Sequence, residues 1–307
     1  MRLWSEDRLR WPMIYIAKAG RTLTISRRET HLSTCIDCVR LDATGTDIVS
    51  SASATGFYWE LEGKWYLVSN LHCFAGWNYE LNRSMSSMSL SPTHVRISLA
   101  LKTSMEDESD RSAIKFDRRL AALTVDDEPA WLIHPEYGTS VDVAVLPLFD
   151  TPTKEAIEEI GGADIFSMAV NTFDDWVRFS PAAGDDIYVL GFPFGDKMGS
   201  FPIWKRGSIA TEPDIDVEGL PKILVDTATR EGMSGSPVIV ARKGFTAPNG
   251  VFDSDAVIGD AHSFLGVYSG RIGNELEGLQ LGVVWKGHVI NEIIKGGQRG
   301  SWPWNPN

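Results

Sequence analysis

Cysteine is scarce: three residues, Cys35, Cys38 and Cys73, among 307. An odd, sparse set does not make a disulfide framework and fits reduced thiols in a reducing compartment. Cys35 and Cys38 form a C-x-x-C, yet no second such pair supplies the roughly four ligands of a zinc site. The pair lies within TCIDCVRL, whose alternation reads as a strand, whereas a redox pair belongs at a helix start. We read these cysteines as structural. Long apolar runs are also missing. Met1 to Met13 is broken by Arg2, Glu6, Asp7, Arg8 and Arg10, so no export signal is expected, and nothing approaches the roughly 20 apolar residues that span a bilayer. The expectation is a cytoplasmic protein without a membrane partner. Clustered positive charge is absent too: Lys and Arg number 29 against 41 Asp and Glu, a net charge of -12. Ser26-Arg27-Arg28 is too short to bind a phosphate backbone, so no nucleic-acid partner is expected. His31, His94, His262 and His288 show no metal-ligand spacing, and His134 reads as a solvated or structural loop residue; neither metal nor cofactor is expected.

Helical periodicity is limited to Lys154–Ile160 and His288–Ile294. Short strand-like runs dominate instead, among them Lys64–Val68, Val95–Leu101, Asp142–Leu148, Ile187–Leu190, Ile223–Val225, Val238–Val240 and Phe264–Tyr268. Many strands with few helices predict an all-β protein, a sandwich or a barrel. Residues 78–92, 102–117, 150–186 and 244–262 read as loops, the third separating two strand-rich halves. Trp59 and Trp65, at strand spacing, are candidates to pack together.

Three polar residues stand where activated-serine chemistry needs them. TGFYWELEGKWYLVSNLHCF (residues 55–74) reads as a hairpin broken at Glu62-Gly63, with His72 directly after its second strand. WLIHPEYGTSVDVAVLPL (131–148) places Asp142 at the head of an apolar strand, and REGMSGSPVIV (230–240) places Ser234 in a glycine-flanked turn. A serine hydroxyl is a weak nucleophile until a base takes its proton. Histidine titrates near working pH, and a carboxylate on its other nitrogen fixes the tautomer. Gly232 lets its own N–H and that of Ser234 converge as an oxyanion hole. The chain order His, Asp, Ser differs from the Ser, acid, His order of α/β-hydrolases, and Ser236 stands where the second glycine of G-x-S-x-G belongs.

Across roughly residues 50–295 the chain resembles the trypsin-like, chymotrypsin-fold serine peptidases, in a bacterial intracellular form. LVSNLHC resembles the histidine segment, HPEYGTSVDVAVLPL the aspartate segment and GDDIYVLGFPFG (184–195) the opening strand of the second barrel. GMSGSPV resembles the nucleophile loop, its Ser236 being similar to bacterial glutamyl endopeptidases. SFLGVYSGRI (263–272) resembles the specificity-pocket strand, and LQLGVVWKGHVINEII (279–294) the last strand and C-terminal helix.

The resemblance implies two six-stranded antiparallel β-barrels with the active site between them and a short C-terminal helix. The expected division is an N-terminal extension (1–31), a first barrel with His72 and Asp142 (32–150), a connection (151–183) and a second barrel with Ser234 (184–307). It implies a cofactor-free endopeptidase acting on protein or peptide substrates through an acyl-enzyme, with Ser269 bonded to Asp142 and Ser269, Gly270 and Arg271 as the edge that pairs with substrate. Ala228 stands at the pocket floor, where tryptic members carry Asp, so a preference other than Lys or Arg is expected. Gly282 is expected to leave the back of the pocket open, and Arg271 to favour an acidic residue over a small apolar one. Met233 replaces the Asp that captures a new N-terminus after zymogen cleavage, and Cys73 has no partner around Phe57. Control by a regulatory protein partner or a conformational switch is therefore expected. The alternatives are a catalytically silent two-barrel module that binds proteins, and a hydrolase of esters or small amides.

Overall fold

In a computed structural model, the structure describes residues 16–18, 21–23, 27–45, 47–86, 90–104, 112–150, 164–165, 167–195, 201–228, 230–246, 256–271 and 281–303. The first sheet is built from β1 (Thr34–Leu41), β2 (Ile48–Leu61), β3 (Lys64–Ser69), β4 (His94–Ser104), β5 (Ser112–Ala122), β6 (Ala144–Asp150) and β7 (Asp164–Ile165). Its order is β6-β3-β2-β1-β4-β7, with β5 paired to β4. The second comprises β8 (Asp186–Gly191), β9 (Ile203–Ile209), β10 (Lys222–Asp226), β11 (Pro237–Thr246), β12 (Val257–Arg271) and β13 (Leu281–Lys286), closed as β8-β9-β10-β13-β12-β11. Helix α1 (Leu71–Ala75) follows β3, and α2 (His288–Gly296) follows β13. The all-β, two-sheet architecture holds. Among the described residues the first sheet is a half-barrel, six strands in one open path with β5 branching from β4, and the second closes into a ring.

Local sequence explains the hairpins. Glu62 (φ 53°) and Gly63 (φ 74°) both take the left-handed region, which is the two-residue turn whose twist matches its flanking strands, and Leu61 pairs with Lys64 across it. Two expected loops are corrected at their ends. β4 and β5 pair out to Ser104 and Ser112, and β11 and β12 pair out to Thr246 and Val257. In the latter ribbon Lys243, Phe245 and Ile258 are exposed, so ladder hydrogen bonds hold strands whose burial pattern carries no signal. The expected strand from Asp142 begins two residues later, at Ala144. The expected helix over 154–160 lies outside the described residues.

Trp59 and Trp65 do not pack together. Trp59 pairs with Tyr66 and Trp65 with Glu60, so their side chains leave opposite faces of the β2–β3 ribbon. Trp65 packs on Tyr58, and Trp59 on Phe264 of β12 while donating to Asn291 Oδ1 of α2 (3.0 Å). That second face forms an apolar cluster joining Phe57, Val68, Val143 and Val145 to Val267 and to Val289, Ile290 and Ile293 of α2. His134 is buried, not solvated: its Nε2 meets Glu292 of α2 at 2.9 Å.

The segment before β1 is also tied to the connection between the sheets and to the second sheet. Arg28 pairs with Asp174 and Asp175 (2.7 and 2.6 Å), Trp204 donates to Thr30, and buried Glu29 meets His262 Nδ1 at 2.6 Å. Burial pushes the His31 imidazole down to about 4. Burial works against ionising Glu29, but the His262 hydrogen bond and charge, a backbone hydrogen bond and the Arg27 charge together outweigh this and hold the carboxyl below its ordinary value. The unfolded chain protonates His31 near 6.5 and the folded chain only near 4. Stability present above pH 6.5 is therefore lost as pH falls through this window, by up to about 3 kcal/mol, and the Glu29 contribution follows below its unfolded value of 4.5. Urea midpoints are expected to fall between pH 7 and pH 5, and to fall less in His31→Leu; equal midpoints in the wild type would refute this.

Candidate active site

β3 ends at Ser69, and Asn70, extended, starts α1, whose second residue is His72. Sequence reading put His72 directly after the strand; the one-turn helix instead aims it back at the β6 entry. There His72 N–H donates to Asp142 Oδ1 (2.9 Å), and His72 Nδ1 meets Oδ2 at 2.7 Å. Ser269 Oγ, on β12, donates to the same Oδ2 (2.5 Å), and Asn70 Nδ2 donates to the Asp142 carbonyl (2.6 Å). The carboxylate is thus fixed from three sides. Burial by itself would lower the His72 imidazole, but the Asp142 charge, the neighbouring Cys73 and the Asp142 hydrogen bond together outweigh it and hold the pKa above its ordinary value.

Ser234 sits in the turn before β11, between Gly232 (φ 90°) and Gly235 (φ 82°), conformations that suit glycine. A Cβ on Gly235 would stand 2.1 Å from the Thr55 carbonyl and 2.2 Å from Ser69 Oγ. The close approach is used. Thr55 N–H donates to the Ser234 carbonyl (3.0 Å), Thr55 Oγ1 donates to the Gly232 carbonyl (2.7 Å), and Phe192 N–H donates to Thr55 Oγ1 (2.9 Å). One threonine of the first sheet therefore pins the serine turn of the second. The N–H groups of Gly232 and Ser234 donate to no described residue and are available to an oxyanion. Ser236 is buried and donates to the Met233 carbonyl (2.6 Å). Gly191 makes room for it, since a Cβ there would lie 2.2 Å from Ser236 Oγ and 2.8 Å from the Met233 sulfur.

His72, Gly232 and Ser234 border one cavity of about 410 Å³, together with Cys38, Cys73 and Arg40. No hydrogen bond joins Ser234 Oγ to His72 among the described residues. The other expected site residues lie elsewhere. Ala228 is exposed beyond the end of β10, Gly270 (φ 112°) is half-buried, and Arg271 is exposed at the end of β12, opposite Gly282 on β13. Gly282 does not leave open space behind it. A Cβ there would meet the Tyr268 ring at 2.6 Å, and Tyr268 is fully buried, so that ring fills the volume the missing side chain vacates. Sequence reading missed Thr55 as a tie, and Cys38 and Arg40 as cavity residues. The strand alternation of TCIDCVRL puts Cys38 and Arg40 on one face, but not which face meets the site.

The chain matches the family model described as trypsin-like peptidase domain over residues 54–245. Among solved structures it is similar to the Rv3671c protease of M. tuberculosis H37Rv in its inactive form (16% identity, 87% of this chain and 89% of that one, TM-score 0.38) and to a serine-to-alanine mutant of the same protein (16%, 87% and 87%, TM-score 0.39). A thermostable serine protease, AL20, from an extremophilic microorganism is 8% identical over 87% of this chain and 96% of that one, with a TM-score of 0.46. No curated protein matches. A family match over more than half the chain, on two facing antiparallel β-sheets, places the protein in the trypsin-like serine peptidases, with a chymotrypsin-like fold.

Proposed function

We propose that the protein is a serine endopeptidase in which His72, Asp142 and Ser234 form the catalytic triad. The observation that carries the reading is the Asp142–His72 pair, closed at 2.7 Å, beside a cavity that both His72 and Ser234 border. His72 Nε2 takes the Ser234 proton as Oγ attacks the substrate carbonyl, and the N–H groups of Gly232 and Ser234 hold the oxyanion. The tetrahedral intermediate expels an amine that collects the proton from His72. Water, deprotonated by the same imidazole, then releases the acyl group from Ser234.

The missing Ser234–His72 hydrogen bond favours a resting state that tightens on binding, by a partner or by substrate. Met233 supports control other than by zymogen cleavage: it is buried among Val189, Val238 and Tyr268 and offers no carboxylate to a new N-terminus. Ala228 supplies no charge for a Lys or Arg substrate, so a preference for small apolar or acidic residues at the cleavage position is proposed.

Labelling of the purified protein with a fluorophosphonate tests the reading. Labelling is expected on Ser234 and is expected to be abolished by Ser234→Ala and by His72→Ala. A folded wild type that stays unlabelled in the presence of unfolded protein substrate would instead support the silent binding module. Thr55 is a positioning residue in this scheme. Thr55→Val removes the bonds to Gly232 and Phe192 and is expected to lower kcat about 10–100-fold with KM little changed, while Thr55→Ser restores most of it. A change confined to KM would count against that role.

A further inference from the structure

One arginine lines the cavity of the candidate site without a carboxylate among the described residues to answer it. Arg28, Arg96, Arg206 and Arg242 each close an ion pair with an aspartate at 2.6 to 2.8 Å. Arg40 closes none among the described residues. Its one hydrogen bond there runs from Nη1 to the Ser91 carbonyl (3.1 Å), and its side chain lines the cavity that holds His72 and Ser234. In a chain of net charge -12, a guanidinium that lines a cavity with most of its donors unused is arranged for a ligand.

The cavity has a direction. Cys38 and Arg40 lie on the same face of β1, opposite Ala52 and Ser50 of β2, and all four border the cavity. Cys38 and Cys73 belong to the same apolar cluster, and Cys73 follows His72 in the chain. The lining therefore runs from His72 past the two thiols to Arg40, which stands two strand residues, about 7 Å, beyond Cys38. Leu90 and Pro92 also border it, whereas Ser269, Gly270 and Arg271 do not. A leaving amine must collect its proton from His72, so the segment on the leaving side of the scissile bond passes this way. Charge along the cavity is ordered as well. Among the described residues Glu231, next to Gly232, is its one acidic lining residue, and Arg40 is its one permanently basic one.

We propose that this cavity binds the leaving-group segment of an acidic peptide, with Arg40 pairing with a carboxylate side chain two or three residues past the scissile bond. The inference rests on the peptidase reading above and extends it to substrate class. A planar guanidinium takes a carboxylate in a two-bond fork, which gives direction as well as charge. Glu231 at the other end disfavours an acid immediately after the bond.

The test needs no turnover. Fluorescein-labelled peptides carrying a free amino terminus, with Glu, Gln or Lys at the second and third positions, are titrated by anisotropy against the Ser234→Ala protein and against Arg40→Gln, Arg40→Lys and Arg40→Glu in that background. The Glu peptide is expected to bind at least tenfold tighter than the Gln peptide. Arg40→Gln should erase that ratio, Arg40→Lys keep part of it, and Arg40→Glu turn the preference toward Lys. Equal binding of the Glu and Gln peptides, a ratio that survives Arg40→Gln, or no binding of any peptide overturns the proposal. Fluorophosphonate labelling of the wild type reports separately on the peptidase reading, so the two can fail independently.

Discussion

Asp142→Asn is expected to lower kcat by about 10⁴-fold while leaving the fold intact. The carboxylate accepts from the His72 backbone N–H through Oδ1, and its Oδ2 meets both His72 Nδ1 and Ser269 Oγ. An amide has one accepting oxygen. Whichever way it turns, its NH₂ faces either the backbone N–H of His72 or the ring nitrogen. Facing the ring, it forces the proton to Nε2, where the base must be bare. A loss smaller than tenfold in purified, folded Asp142→Asn would remove Asp142 from the triad.

The same pair sets the pH dependence. In the proposed triad only the neutral imidazole accepts the Ser234 proton, so kcat/KM is expected to rise with pH through the His72 pKa. Burial pulls that pKa down, and Asp142 together with Cys73 more than reverses it, so the acid limb of the wild-type profile is expected above the imidazole's ordinary 6.5. In Asp142→Asn the opposing charge is gone while burial remains, so the residual activity should show its acid limb at lower pH. A limb that does not move between the two proteins would mean that another group is being titrated.

What could be read ahead of the structure divides along physical lines. The serine turn was legible because its geometry leaves few residue choices: Gly232 and Gly235 take φ of 90° and 82°, and a glycine pair around a serine is rare enough to notice. The Glu62-Gly63 turn was legible for the same reason. Strands with one buried face announced themselves by alternation, but the outer ends of β11 and β12 did not, because Lys243, Phe245 and Ile258 are exposed there and backbone bonds sustain the pairing. Open against closed sheets could not be read at all, since closure depends on which edges meet and not on the pattern within a strand. Thr55 and Arg40 escaped for a related reason. Each is an ordinary strand residue whose importance comes from a bond across a sequence separation of 177, from Thr55 to Gly232, or from the cavity that β1 faces. His134 is structural, one of the two roles its loop position allowed, and its partner could not be read because Glu292 lies 158 positions away.

Gly235→Ala is expected to destabilise the protein by about 4 kcal/mol or more and to abolish fluorophosphonate labelling, and the reason can be separated from backbone strain. Two costs fall on this residue. Its φ of 82° penalises any Cβ, by about 1–2 kcal/mol. In addition the new methyl would lie 2.1 Å from the Thr55 carbonyl oxygen and 2.2 Å from Ser69 Oγ, which already donates to that carbonyl at 2.8 Å. Neither neighbour can withdraw cheaply. Thr55 is held in β2 opposite Cys35, and its own N–H and hydroxyl carry the bonds to Ser234 and Gly232. Moving the carbonyl thus breaks the tie between the two sheets at the point where the proposed nucleophile, Ser234, is positioned. Gly244 supplies the control. Its φ is 95°, close to that of Gly235, and a Cβ there meets nothing within 4 Å. Gly244→Ala therefore carries the backbone cost alone, about 1–2 kcal/mol, and should label at the wild-type rate. Denaturant midpoints for the two variants, measured with labelling on the same samples, isolate the steric part as their difference. Equal midpoints would mean that the serine turn yields to the methyl, and that the contact between Thr55 and Gly235 does not hold the site in shape.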